Sequence, residues 1–106
     1  MRQTLLISML IIALAPVTAS GQATREAFAY ALGRAVTAEK YCGMPGEVEK
    51  AKQWVSSFRS GFDTYNNQED AFLLFSIGGR IEAQRAKMGT HPWCVEYRAA
   101  NHLIGF

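Results

Sequence analysis

The side chains of this chain whose types and spacing admit chemistry are few. They are two cysteines, two histidines, one acidic residue inside an apolar stripe, and a short Ser-Ile-Gly-Gly run. Cys42 and Cys94 can either bond to each other or ligate a metal together with His91 and His102. His91-x-x-Cys94 has a spacing that zinc tolerates, but Cys42 has no companion beside it, and zinc sites usually draw their ligands in close pairs. The pattern therefore favours a disulfide, and with both thiols bonded no cysteine nucleophile remains. A Cys-x-x-Cys-His run is absent, which removes covalent c-type haem attachment.

Glu39 falls between Leu32, Ala35 and Cys42 on the apolar side of a helical pattern, where burial would raise its pKa as in acid–base sites. It also lies in the last turn of that pattern, where its carboxylate reaches water or an arginine, and this second reading is preferred. His102 could serve with Met44 or Met88 as the axial pair of a b-type haem. No carboxylate or nucleophile stands at helical spacing from either histidine, so a packed or exposed imidazole is expected. Ser56, Ser57, Ser60 and Ser76 lack the strand-turn-helix setting that exposes a nucleophile. Ser76-Ile77-Gly78-Gly79-Arg80 lacks the glycine spacing of a phosphate loop and falls within a helical pattern, where it reads as close helix packing. No catalytic, cofactor-binding or metal-ligating residue is assigned, and the chain is expected to be no enzyme and to carry no cofactor.

The elements that must hold these residues begin with an export signal. Arg2 supplies a positive start, Leu5 to Leu14 an uncharged apolar run, and Val17 to Ala23 the small residues of a cleavage site, the three parts of a secretory signal. A spanning helix needs about 20 consecutive apolar residues, and Pro16 with the polar stretch that follows cuts this run short. Residues 1–19, or 1–23 if cleavage follows Ala23, are expected to be removed, leaving one helical domain over 24–106 in the periplasm or outside the cell. Without Arg2, ten basic residues face nine acidic ones. That balance is too small and dispersed for a nucleic-acid surface, which needs a basic patch, or for a stable membrane anchor after cleavage. So short a chain is marginally stable on core burial alone. A disulfide closing about 50 residues would add roughly 4 kcal/mol, comparable to its whole margin.

Four helical patterns follow, and no period-two run is long enough for a strand. The first, about Thr24 to Tyr41, places Phe28, Ala31, Leu32, Ala35 and Cys42 on one face, with Glu26, Tyr30, Thr37 and Lys40 away from it. Gly43 and Pro45 stop it, and Pro45-Gly46-Glu47 opens a second whose stripe is Val48, Ala51, Val55, Phe58 and Phe62. Asn67-x-x-Asp70 resembles a capping box and starts a third helix, about Gln68 to Met88. This one has two apolar faces. Leu73, Leu74, Ile77, Ile81 and Met88 form one, and Phe72, Phe75, Gly79, Ala83 and Ala86 the other, so it belongs in the middle of the fold, with the small residues admitting a close neighbour. Gly89 ends it, and Pro92 starts a fourth with Trp93, Tyr97, Ala100 and Ile104 on a face. The expected fold is all-α: a compact bundle of about four helices, the third central, with Cys42–Cys94 joining the end of the first to the start of the fourth.

Trp93 and Tyr97 read as core. Trp54 and Tyr65 lie on the margin of the second stripe, where amphipathic aromatics serve equally as core or as binding hot spots, and they are the expected interaction surface. The apolar end Leu103 to Phe106 must dock or be covered. In layout alone the chain resembles small exported helical proteins held by one disulfide, such as acid-stress periplasmic chaperones and the immunity proteins of secreted amidase toxins. No residue role is carried over from them. Two functions are expected from these features: a protein-binding role (inhibitor, immunity factor, chaperone or assembly subunit), or carriage of haem or another small apolar ligand between helices.

Overall fold

The structure is a computed structural model that describes the backbone over residues 16–104 and side chains over residues 24–100. The apolar run Leu5 to Leu14 and the side chains of His102, Leu103, Ile104 and Phe106 lie outside the described residues. Four helices follow one another: α1, Pro16–Tyr41; α2, Glu47–Ser56; α3, Gln68–Met88; and α4, Thr90–Ile104. Among the described residues there is no strand, and no helix is long and apolar enough to cross a membrane. α1 starts earlier than the pattern from Thr24 suggests, so its backbone runs through both expected cleavage points.

α3 shares the centre of the bundle with α1. α1 packs against each of the other three helices, and α3 packs against α1 and α4. The two cross where Gly33 meets Gly78: a Cβ on Gly33 would stand 3.6 Å from the Gly78 Cα and 2.8 Å from Ile81 Cδ1. The glycine pair in mid-helix thus has a packing role, because lost helix propensity is exchanged for close approach of two backbones. Gly79, expected to make that approach, has open space around it instead.

Two clusters form the core. One gathers Ala29, Ala38, Ile77, Ile81, Trp93, Cys94 and Tyr97, where α1, α3 and α4 meet. The other gathers Phe28, Leu32, Ala35, Ala51 and Val55 between α1 and α2. Phe62 packs against both. The disulfide Cys42–Cys94 closes the first cluster with Cα atoms 5.6 Å apart, and it ties the residue just after α1 to the second turn of α4 as expected.

Three local expectations are corrected. α2 ends at Ser56, followed by a turn in which Arg59 takes a left-handed conformation (φ 51°), so Phe58 and Phe62 lie beyond the helix instead of continuing its stripe. Thr37, expected to face away, is buried, because its hydroxyl donates to the Gly33 carbonyl at 3.0 Å and so loses no hydrogen bond on leaving water. α4 starts at Thr90, before Pro92, one residue after α3. Gly89 makes so short a corner feasible: its φ of 96° is costly for any residue with a Cβ.

Candidate interaction surface

The polar side chains that leave water are already engaged within the fold. Glu47, in the first turn of α2, is buried, and its carboxylate accepts from the Tyr97 hydroxyl at 2.9 Å and lies 3.2 Å from the Lys50 ammonium. Asp70, in the first turn of α3, is likewise buried and pairs with Arg25 of α1. It also accepts the Asp63 N–H at 2.9 Å. The sequence marks these two carboxylates only as first-turn residues of their helices, not as buried ones. Their partners stand 50 and 45 residues away, beyond any local pattern. Both contacts hold elements together, and removing Arg25 would leave the buried Asp70 carboxylate uncompensated.

Asp70 also shows why the capping box forms only by half. The Asn67 side chain accepts from the Asp70 N–H at 3.1 Å, as the spacing implies. The return bond is missing, since the shorter Asp70 side chain is turned to Arg25 and Asp63, and the Asn67 N–H goes to the Asp63 carbonyl.

Asp63 passes this anchoring on to Tyr65. One carboxylate oxygen accepts the N–H groups of Tyr65 and Asn66 at 2.9 and 3.2 Å, and the other accepts the Asn66 amide at 2.9 Å. These bonds, led by the Asn66 side chain, hold the Asp63 carboxyl below its ordinary range. Tyr65 is 93 % exposed on the turn they brace. Its ring is presented to solvent while its backbone is fixed through Asp63 and Asp70 to α1 and α3.

Trp54 is half-buried, edge-on to Phe28 at 5.7 Å and to Phe58 at 5.1 Å between ring centroids. It shares its area between core and surface. Tyr65 lines a groove with Arg59, Ser60 and Phe62, outside α2, while Trp54 stands within α2.

The other sequence candidates find structural places. Glu39 is exposed, and it accepts the Val48 N–H at 2.9 Å, so α1 supplies the cap that Gly46 cannot give α2. His91 is exposed in the first turn of α4. Met44 and Met88 pack against the first core cluster. Ser76 to Arg80 is continuous α3. Among the described residues no group of three or more His, Cys, Asp or Glu side chains is placed to hold a metal ion. A polar knot at the α1–α3–α4 corner joins Tyr41, Glu82, Arg85 and Thr90. Glu82 accepts from Arg85 at 2.8 Å and Tyr41 at 2.6 Å, which holds its carboxyl below the ordinary glutamate range, the Arg85 bond contributing most.

The largest departure lies on α3. The face carrying Ile77 and Ile81 is buried as expected, but Phe72, Phe75, Gly79, Ala83 and Ala86 are all exposed, Phe72 at 71 % and Phe75 at 81 %. Among the described residues no further element covers them: α1 and α4 pack elsewhere on α3, through Gly78, Ile77 and Ile81. Beside Phe75 runs a groove of about 500 Å³ lined by Val36, Thr37, Leu74 and Gly78, with Thr64 at its rim, next to the Tyr65 turn. Two exposed phenylalanines one turn apart, continuous with half-exposed Val36 and the Tyr65 turn, form a contiguous apolar surface of the kind that marks contact sites.

No protein-family model, curated protein or solved structure matches this chain.

Proposed function

We propose that this chain is an exported, non-enzymatic binding protein whose partner is another protein, in the class of inhibitors, immunity factors, chaperones and assembly subunits. One observation carries the reading: the outward face of α3 is apolar along its length and exposed, with Phe72 and Phe75 at its head. Aromatic side chains add large contact area at low entropic cost, which is why they concentrate in binding hot spots. The buried polar groups support the same reading, since Glu47 and Asp70 spend their hydrogen bonds holding helices together. Export rests on the signal-like start, and the Cys42–Cys94 bond suits an oxidising compartment.

A photo-crosslinking amino acid in place of Phe72, expressed in the native host, tests the proposal. A discrete adduct to one or a few identified proteins is the expected result. No adduct there, from a folded and disulfide-bonded protein, would reject it. The groove beside Phe75 supports a second reading, carriage of a small apolar ligand, because Val36, Leu74 and Phe75 line it, with the charged Lys40 and Glu82 also on its wall. A ligand co-purifying with the protein and lost in Leu74→Asn would favour that reading.

A further inference from the structure

We infer that the outer face of α3 is the contact surface of a two-fold symmetric dimer, its occupant being a second copy of this chain. The inference rests on the reading of that face as an interaction surface and names its partner.

The arrangement of large and small residues carries it. Phe72, Phe75, Gly79, Ala83 and Ala86 recur at intervals of three, four, four and three. At 3.6 residues per turn they fall within an arc of about 80°. The series is symmetric about Gly79. When α3 lies antiparallel on its own copy with the two-fold axis at Gly79, each Phe72 stands over Ala86 of the second copy. Each Phe75 stands over Ala83, and the glycines face each other. Every large side chain then meets a small one, the self-complementarity that an isologous contact requires. The glycine at the crossing lets the backbones approach, as Gly33 and Gly78 do inside the monomer. A parallel pairing would set phenylalanine against phenylalanine and leave the alanine end loosely packed.

The charges agree. Glu69 and Lys87 are exposed on the same edge of the stripe, ten residues before Gly79 and eight after it. In the antiparallel pairing each Glu69 faces Lys87 of the second copy, within about 3 Å along the axis. The parallel two-fold pairing sends this edge to the far side of the second copy and leaves both charges without that partner. Exposed ion pairs of this kind add little affinity but select orientation.

The area limits the strength. Twenty-one residues make a strip about 30 Å long and about 10 Å wide, well below the ~800 Å² per partner of a standard interface. The dimer is therefore weak and reversible.

Sedimentation equilibrium of the full, disulfide-bonded chain from about 5 to about 500 µM tests this. The expected result is a mass rising from that of one chain toward that of two. Gly79→Leu should abolish the rise while leaving the monomer at least as stable, because a Cβ there meets nothing within 4 Å and leucine is the better helix former. Phe75→Ser should weaken association at least tenfold, the loss of roughly 1.4 kcal/mol. Glu69→Lys or Lys87→Glu alone should weaken it about threefold, and the double exchange should restore it.

A monomer at every concentration overturns the dimer. The binding reading then stands or falls separately, on whether the crosslinker at Phe72 captures a different identified protein. Association that Gly79→Leu and Phe75→Ser leave unchanged puts the contact elsewhere and also overturns the proposal. Failure of the double exchange to restore association overturns the antiparallel register.

Discussion

α3 carries two apolar faces of similar length, one holding Ile77 and Ile81 and the other Phe72 and Phe75. The first is sealed by α1 and α4, with the disulfide, the Arg34 guanidinium stacked 5.1 Å from the Tyr97 ring, and the Tyr97–Glu47 bond behind it. Among the described residues nothing lies over the second, although Phe72 and Phe75 are as apolar as the isoleucines. Hydrophobicity therefore does not by itself decide what a small domain buries. A short chain with four helices has covering surface for only part of its apolar area, and it spends that cover where covalent closure and long-range polar pairs already hold the elements together.

The sharpest way to break the comparison is to remove the device that holds the sealed side. Reduction of Cys42–Cys94 should cost about 4 kcal/mol of unfolding free energy, from the entropy of the opened loop. Chemical denaturation with and without reductant checks this, and an unchanged midpoint would show that helix packing alone seals the inner face. Ile81→Ala should cost about 3 kcal/mol, within the range for a fully buried aliphatic side chain. Its denaturation curve should keep its slope while the midpoint falls.

The border between the two faces should respond to acid. Glu82, at the α1–α3–α4 corner, and Asp63, under the Tyr65 turn, both have carboxyls held below their ordinary range by hydrogen bonds to the ionised form. Their stabilising contribution is fully present above the ordinary carboxylate pKa, about 4. It is lost as pH falls through the lower folded-state values. The denaturation midpoint should therefore drop below about pH 4, and Glu82→Gln should flatten part of that drop. A midpoint as steep in Glu82→Gln as in the parent would remove the corner knot from the account. The smallest effect belongs to the open face: Phe72→Ser and Phe75→Ser should change monomer stability by no more than about 0.5 kcal/mol. A cost matching that of Ile81→Ala would mean that the outer face is packed, and the comparison would fail.

Much of the fold was legible because its signals are local. The bounds of α3 follow from Asn67 at one end and Gly89 at the other, and the pairing of the only two cysteines needed no geometry. The burial of Trp93 and Tyr97 followed from their helical spacing. The site was less legible. Trp54 was singled out for its place on a stripe, yet it leans on Phe28 and Phe58. Tyr65 was singled out for the same reason and stands on a turn braced by Asp63, outside α2 altogether.

What the sequence alone determined is the set of helices, their order, the disulfide and the double apolar character of α3. Each depends on residues within a few turns of one another, or on a count of two. Tertiary structure alone decided which side of α3 is core, that Gly78 and not Gly79 meets α1, and that Glu47 and Asp70 leave water. Those outcomes depend on which helix lies on which, and periodicity marks a face as apolar without saying whether a neighbour will reach it.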